Sequence, residues 1–202
     1  TGGSGFIGKN LKEYLSNSYE VLAPTHKELE LVNEKEVNNF FRYNKIDVVI
    51  HSANFGGKRN KKDCVDVVKQ NLKMFFNIAN NSKYFKKMIF LGSGAEYNLA
   101  RDISKIKESD FGEKIPEDDY GFYKYICSKF IEKSEKIVNL RLFGVFGKYE
   151  DYEIRFISNI ICRAILDLPI EINRNRVIEY VFIGDICKII EYFINNEAKR
   201  RF

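Results

Sequence analysis

Along this chain, short unbroken apolar runs alternate with stretches in which apolar residues recur every three or four positions. Asp47-Val48-Val49-Ile50 and Met88-Ile89-Phe90-Leu91 are runs of strand length, apolar enough for strands buried on both faces. Residues 138–142 and 177–183 read as further strands, and Tyr19 to Ala23 as a short one stopped by Pro24. Helical spacing predicts helices over 9–15, 34–43, 63–81, 120–133, 154–166 and 185–194. Residues 94–119 read as a polar loop and 143–147 as a turn. Strands and helices alternating at this spacing specify an α/β fold with a parallel sheet.

The chain opens on Thr1-Gly2-Gly3-Ser4-Gly5-Phe6-Ile7-Gly8 ahead of the first helical pattern. Glycines at 2, 5 and 8, or at 3, 5 and 8, fit the two spacings of a dinucleotide fingerprint. Such glycines turn the chain off a strand and bring backbone N–H groups to a pyrophosphate at a helix N-terminus. The sheet is therefore expected to be a Rossmann-type, doubly wound one. The fingerprint should follow a buried strand, yet Thr1 leaves no room for it, so the sequence is expected to begin a few residues into a longer protein. Past the second strand, where the adenosine ribose would lie, stand Thr25-His26-Lys27, with Glu28 and Glu30 slightly late. A base there suits a 2′-phosphate and an acid a 2′-hydroxyl, which favours NADP(H) with NAD(H) as the alternative. Lys58-Arg59-Asn60-Lys61-Lys62 reads as a solvated loop able to reach a diphosphate.

With 202 residues, 45% of them hydrophobic and 30% charged, the chain can build one sizeable core. No apolar run is long enough to span a membrane. The net charge of +5 comes from bases interleaved with acids, which argues against a nucleic-acid partner and is compatible with an anionic small substrate. Cys64, Cys127, Cys162 and Cys187 lie far apart, as small core residues of a reducing, cytoplasmic setting do, and His26 and His51 alone argue against a metal site.

Six features in order carry a resemblance: the glycine opening, His51-Ser52-Ala53-Asn54 after a strand, Asn71 inside a helix, Ser93 four residues before Tyr97, Tyr120 four before Lys124, and Arg141-Leu142-Phe143-Gly144-Val145-Phe146-Gly147. Together they resemble the extended short-chain dehydrogenase/reductases, the family of NAD-dependent nucleotide-sugar epimerases, dehydratases and reductases. That resemblance implies a cofactor site of Gly2, Gly5, Phe6, Ile7, Gly8, His26, Lys27, Glu30, Leu31, Ser52, Ala53, Asn54, Asn71, Tyr120 and Lys124. It implies Ser93, Tyr120 and Lys124 as the catalytic trio, and substrate contacts at Ala95, Glu96, Phe143, Gly144, Arg155 and Arg176. Residues 1–148 would form the dinucleotide domain and 149–202 a mixed region of a small, incomplete substrate lobe, part of which lies beyond the sequence.

Residues four apart share a helix face, so Lys124 can set its ammonium near Tyr120. Bringing a tyrosine from ~10 to ~7 takes roughly 4 kcal/mol of preferential phenolate stabilisation. Tyr125 and Lys129 have the same spacing, but Tyr120 is preferred because it stands at the helix start. Gly94-Ala95 occupies the place of the acidic pair of the family's 4,6-dehydratases, which argues against water elimination. The epimerising cysteine of its fucose-synthase branch falls at Ala95 and the histidine near Arg155, so that double epimerisation is not expected. With these departures, the resemblance implies an NADP(H)-dependent reductase of a nucleoside-diphosphate 4-keto-deoxy sugar. The alternatives are a 4-epimerase with retained NAD(H) and a catalytically silent dinucleotide sensor. A homodimer is expected through helices 63–81 and 120–133, whose apolar sets are wider than one sheet face needs.

Overall fold

The computed structural model describes residues 1–56, 65–100, 103–172 and 178–197. Strands β1 (Val48–His51), β2 (Lys87–Ser93) and β3 (Ile137–Leu142) form a parallel sheet in the order β1-β2-β3. Alternation along the strands sends side chains to opposite faces. Val49, Met88, Phe90 and Ile137 join a core with α2 (Glu34–Tyr43), α3 (Val67–Ala79) and α4 (Asp119–Ile131). Ile89, Leu91, Ile50 and Leu140 meet α1 (Phe6–Leu15) and α6 (Ile183–Asn195) on the other face. Helices on both faces of a parallel sheet make the doubly wound α/β architecture that the sequence predicts.

A second, two-stranded parallel sheet pairs β4 (Gly144–Phe146) with β5 (Tyr180–Phe182), and α5 (Phe156–Ile165) lies between them in the chain. Residues 143–147, expected as a turn, thus contain a strand, and Gly94–Tyr97, expected in a loop, forms a 3-10 turn. Tyr19 to Ala23 is not paired into either sheet among the described residues, against expectation. A strand exists only through ladder partners, and at its C-terminal end the free edge of β1 is met by Thr1, whose nitrogen donates to Ile50 O at 2.8 Å.

The surplus apolar surface of α3 and α4 is narrower than expected. Phe75 and Ile131 are fully buried and Tyr125 is 9% exposed, so these belong to the core and not to an outer face. Val68, Leu72 and Phe76 on α3, with Phe122 and Ile126 on α4, remain half-buried, and Phe130 is exposed. Residues 58–64, including the basic loop, Cys64 and the start of the expected helix, lie outside the described residues, as do Arg176 and Val177.

Candidate active site

At the carboxyl end of β1, a cavity of about 680 Å³ is lined by Thr1 to Gly5, His26, Glu30, Leu31, Ser52, Ala53, Asn54 and neighbours that include Pro24, Gln70 and Met74. The α1 N-terminus faces it with Gly5 as the cap, whose side-chain-free position leaves the first helical amides open to a ligand. Gly2 adopts φ +74°, a left-handed conformation that favours glycine. A Cβ there would also press on Ala53 N at 2.6 Å. Ser52 Oγ donates to Thr1 O at 2.8 Å, which ties the glycine loop to the end of β1. The cavity's position, its backbone cradle and its size fit a dinucleotide.

Eight of the fifteen expected cofactor residues line this cavity; Phe6, Ile7, Gly8, Lys27, Asn71, Tyr120 and Lys124 do not. Phe6 and Ile7 turn into the core shared by α1 and α6, because the first helical turn needs an apolar face there. Lys27 is exposed outside the lining. Asn71 is 2% exposed, and its amide is occupied by Phe55 N, Phe55 O and Val67 O, so it holds the loop after β1 and offers nothing to a ligand. At the ribose end, His26 Nε2 lies 3.0 Å from Glu30 Oε2, which brings the candidate base and acid together. His51 is buried against Phe75 and Phe90, and burial holds its pKa well below the usual histidine range.

Ser93 ends β2, and α4 begins beside it. Asp118 caps α4 by accepting from Gly121 N at 2.8 Å. A Cβ on Gly121 would lie 2.7 Å from Pro116 Cβ and 2.8 Å from Ala95 O, so this glycine lets the helix start press against the 3-10 turn after Ser93. That contact brings Tyr120 to Ser93. Burial raises the Tyr120 pKa, and the hydrogen bond with Ser93 and the charge of Arg155 lower it in part. One turn on, Lys124 is 5% exposed and its Nζ donates to Leu91 O at 2.5 Å. Its ammonium lies 4.5 Å from the Phe90 ring centroid and 5.9 Å from that of Tyr120. Burial brings its pKa down to about 8.

The rival pair lies elsewhere. Tyr125 packs on Phe111, and Lys129 pairs with Glu132 at 3.0 Å. Sequence reasoning missed Tyr123, whose hydroxyl donates to Asn54 Oδ1 and whose ring meets that of Tyr120 edge-on at 5.5 Å. Its place three residues after Tyr120 was the available signal.

Of the expected substrate contacts, Phe143 is exposed and stacks on Tyr97 at 6.3 Å, and Arg155 is half-buried just ahead of α5. Gly144 is drawn against β5, where a Cβ would meet Tyr180 Cδ1 at 2.6 Å. Ala95 and Glu96 are 2% and 0% exposed, so neither offers a side chain to a substrate. The Glu96 carboxylate turns inward to Ser93 N, Asn139 and Arg141.

A family model for the NAD dependent epimerase/dehydratase family matches residues 1–202. The chain is 23% identical over 224 residues to GDP-L-colitose synthase of Yersinia pseudotuberculosis, covering 98% of this chain and 72% of that enzyme. It is 27% identical over 177 residues to GDP-L-fucose synthase of Azorhizobium caulinodans, covering 80% of this chain and 56% of that enzyme. A GDP-mannoheptose C4 reductase from Campylobacter jejuni, solved with NADP bound, superposes with a TM-score of 0.82 at 23% identity, over 98% of this chain and 72% of that one. The fold, the glycine cradle and the match along the whole chain place this protein in the NAD dependent epimerase/dehydratase family.

Proposed function

We propose that the protein is an NADP(H)-dependent reductase of a nucleoside-diphosphate 4-keto-deoxy sugar. The observation that carries this reading is the meeting of Tyr120 with Ser93 at the carboxyl edge of the sheet, with Lys124 buried one turn below and Tyr123 linking Tyr120 to Asn54 of the glycine-lined cavity. The bound nicotinamide would supply or accept hydride. In the reductive direction Tyr120 donates its proton to the carbonyl oxygen, and Ser93 hydrogen-bonds the same oxygen. The Lys124 charge, with its Nζ 5.9 Å from the Tyr120 ring centroid, favours the phenolate left on Tyr120. Backbone amides at the start of α1 would hold the pyrophosphate, with His26 and Glu30 at the adenosine ribose.

Support for the substrate class comes from the relatives above, which are named for GDP-sugars. The half-buried stripe of Val68, Leu72, Phe76, Phe122 and Ile126 supports a homodimer through α3 and α4. Buried Cys127 and Cys187, both free, fit a cytoplasmic setting. The test is incubation of the full-length protein with a panel of nucleotide sugars and both reduced cofactors, following nicotinamide absorbance and product stereochemistry. Net cofactor consumption with a 4-keto sugar is expected. Product without consumption would make it an epimerase, and binding without turnover a sensor.

A further inference from the structure

We infer that Glu96 is a positioning residue, the centre of a buried polar strut that fixes Ser93 against the helix carrying Tyr120 and Lys124. The inference rests on the roles proposed above for Ser93 and Tyr120. Glu96 follows β2 on the 3-10 turn and is 0% exposed. Its Oε1 accepts from Ser93 N at 2.9 Å, and its Oε2 accepts from Arg141 Nε at 2.7 Å. Asn139 Nδ2 donates to Glu96 Oε2 at 3.2 Å and to Ser128 Oγ at 2.8 Å.

The register explains how these groups converge. Asn139 and Arg141 stand opposite Phe90 and Gly92, two residues apart on β3, and therefore point to the face covered by α4. Gly92 leaves the carboxylate room to tuck beneath β2, since a Cβ there would overlap both Glu96 Oε1 and Asn139 Oδ1. Ser128 lies one turn past Lys124 and two past Tyr120 on α4. The strut thus joins the backbone of one catalytic candidate to the helix of the other two.

Its chemistry suits positioning better than stability. A buried ion pair gives little net stabilisation over apolar residues of the same volume. Asn139 Oδ1 and Arg141 Nη2, both buried, also lack hydrogen-bond partners among the described residues. An incompletely satisfied buried network weakens a core. What the carboxylate does achieve is a fixed direction for the Ser93 amide, while the Ser93 hydroxyl accepts from Ala95 N at 3.1 Å in the same capping box.

The test replaces the ion pair by apolar residues, Glu96→Leu with Arg141→Met, so that no buried charge is stranded. We expect a folded protein whose cofactor Kd changes less than about twofold and whose kcat falls about 30-fold or more, as a displaced catalytic group implies. The alkaline limb of the kcat profile moves to higher pH, because the Ser93 hydrogen bond that lowers the Tyr120 pKa is loosened. Ser93 amide exchange, read by NMR on the same samples, accelerates by about 100-fold or more. Glu96→Gln with Arg141→Met restores an acceptor for that amide and recovers most of the lost kcat. Ser128→Ala, which cuts only the tie to α4, lowers kcat by about 3- to 10-fold and serves if the first variant fails to fold. Unchanged kcat and an equally protected Ser93 amide would overturn the inference. Should the parent protein turn over no nucleotide sugar, the proposed function fails and the amide exchange alone decides the strut.

Discussion

Two glycines of the opening motif, Gly5 and Gly8, are expected to fail in different ways when given a methyl group. At Gly8 a Cβ would overlap Gly2 O outright and would lie 2.7 Å from Gly2 C and 2.8 Å from Gly3 Cα, well inside the 3.4 Å at which ordinary contact begins. These are backbone atoms, so α1 and the loop must separate. Overpacking of this kind costs about 1–3 kcal/mol, and at about 2–4 °C per kcal/mol for a domain of this size Gly8→Ala lowers Tm measurably even without cofactor. At Gly5 the same Cβ meets only Gly2 O, at an ordinary 3.4 Å, and the backbone is in an extended conformation with φ −80°. Gly5→Ala therefore leaves the cofactor-free Tm within about 2 °C of the parent. Its methyl nevertheless occupies the helix N-terminus where a pyrophosphate would approach, and cofactor binding weakens by about tenfold or more, the equivalent of ~1.4 kcal/mol. Thermal melts without ligand and fluorescence titration with NADPH separate the two effects. If Gly5→Ala binds NADPH as tightly as the parent protein, the cavity is not the pyrophosphate site. If Gly8→Ala melts at the parent temperature, the packing account of Gly8 is wrong.

Four further outcomes are expected. Tyr120→Phe lowers kcat by about 10²- to 10⁴-fold with cofactor Kd nearly unchanged, while Tyr125→Phe is mild; exchanged phenotypes would refute the assignment. Burial holds Lys124 near 8 in the folded state against 10.5 unfolded, so the unfolded chain binds more protons between those values and stability rises with pH there. Denaturant titrations comparing the parent with Lys124→Met across that window are expected to show this rise, at most roughly 3 kcal/mol, in the parent alone. Neutralising His26 and Lys27 together weakens NADPH binding more than NADH binding, and equal losses in parallel titrations would remove the 2′-phosphate contact. Phe76→Glu with Phe130→Glu converts a sedimenting dimer to monomer at micromolar concentration; a parent protein that is already monomeric would rule out the α3–α4 interface.

The layered fold was legible because the apolar blocks at 48–50 and 88–91 have no polar face, which a strand covered by helices on both sides requires. The closeness of Tyr120 and Lys124 was legible from spacing, since residues four apart share a helix face, whereas Ser93 entered only through the family resemblance. Burial was not legible. The Ser93-x-x-Glu96 spacing of a capping box points Glu96 back at Ser93 N but does not show its burial, because Asn139 and Arg141 are more than forty residues away and reach it only through the parallel register of β2 and β3. Asn71 misled in the same way: a helical asparagine reads as a ligand contact until the loop it ties down is seen. The short pairing of β4 with β5 escaped notice because a strand of three residues carries no periodicity of its own.

The most direct test of the central claim follows one atom. The full-length protein is supplied with NADPH carrying deuterium at the transferable position, together with a GDP-4-keto-6-deoxy sugar, and the product is read by mass spectrometry and NMR. The account predicts one deuterium at C4 of the reduced sugar, formed by the parent protein and not, on the same timescale, by Tyr120→Phe. A product carrying deuterium elsewhere, or equal labelling by both proteins, would contradict it.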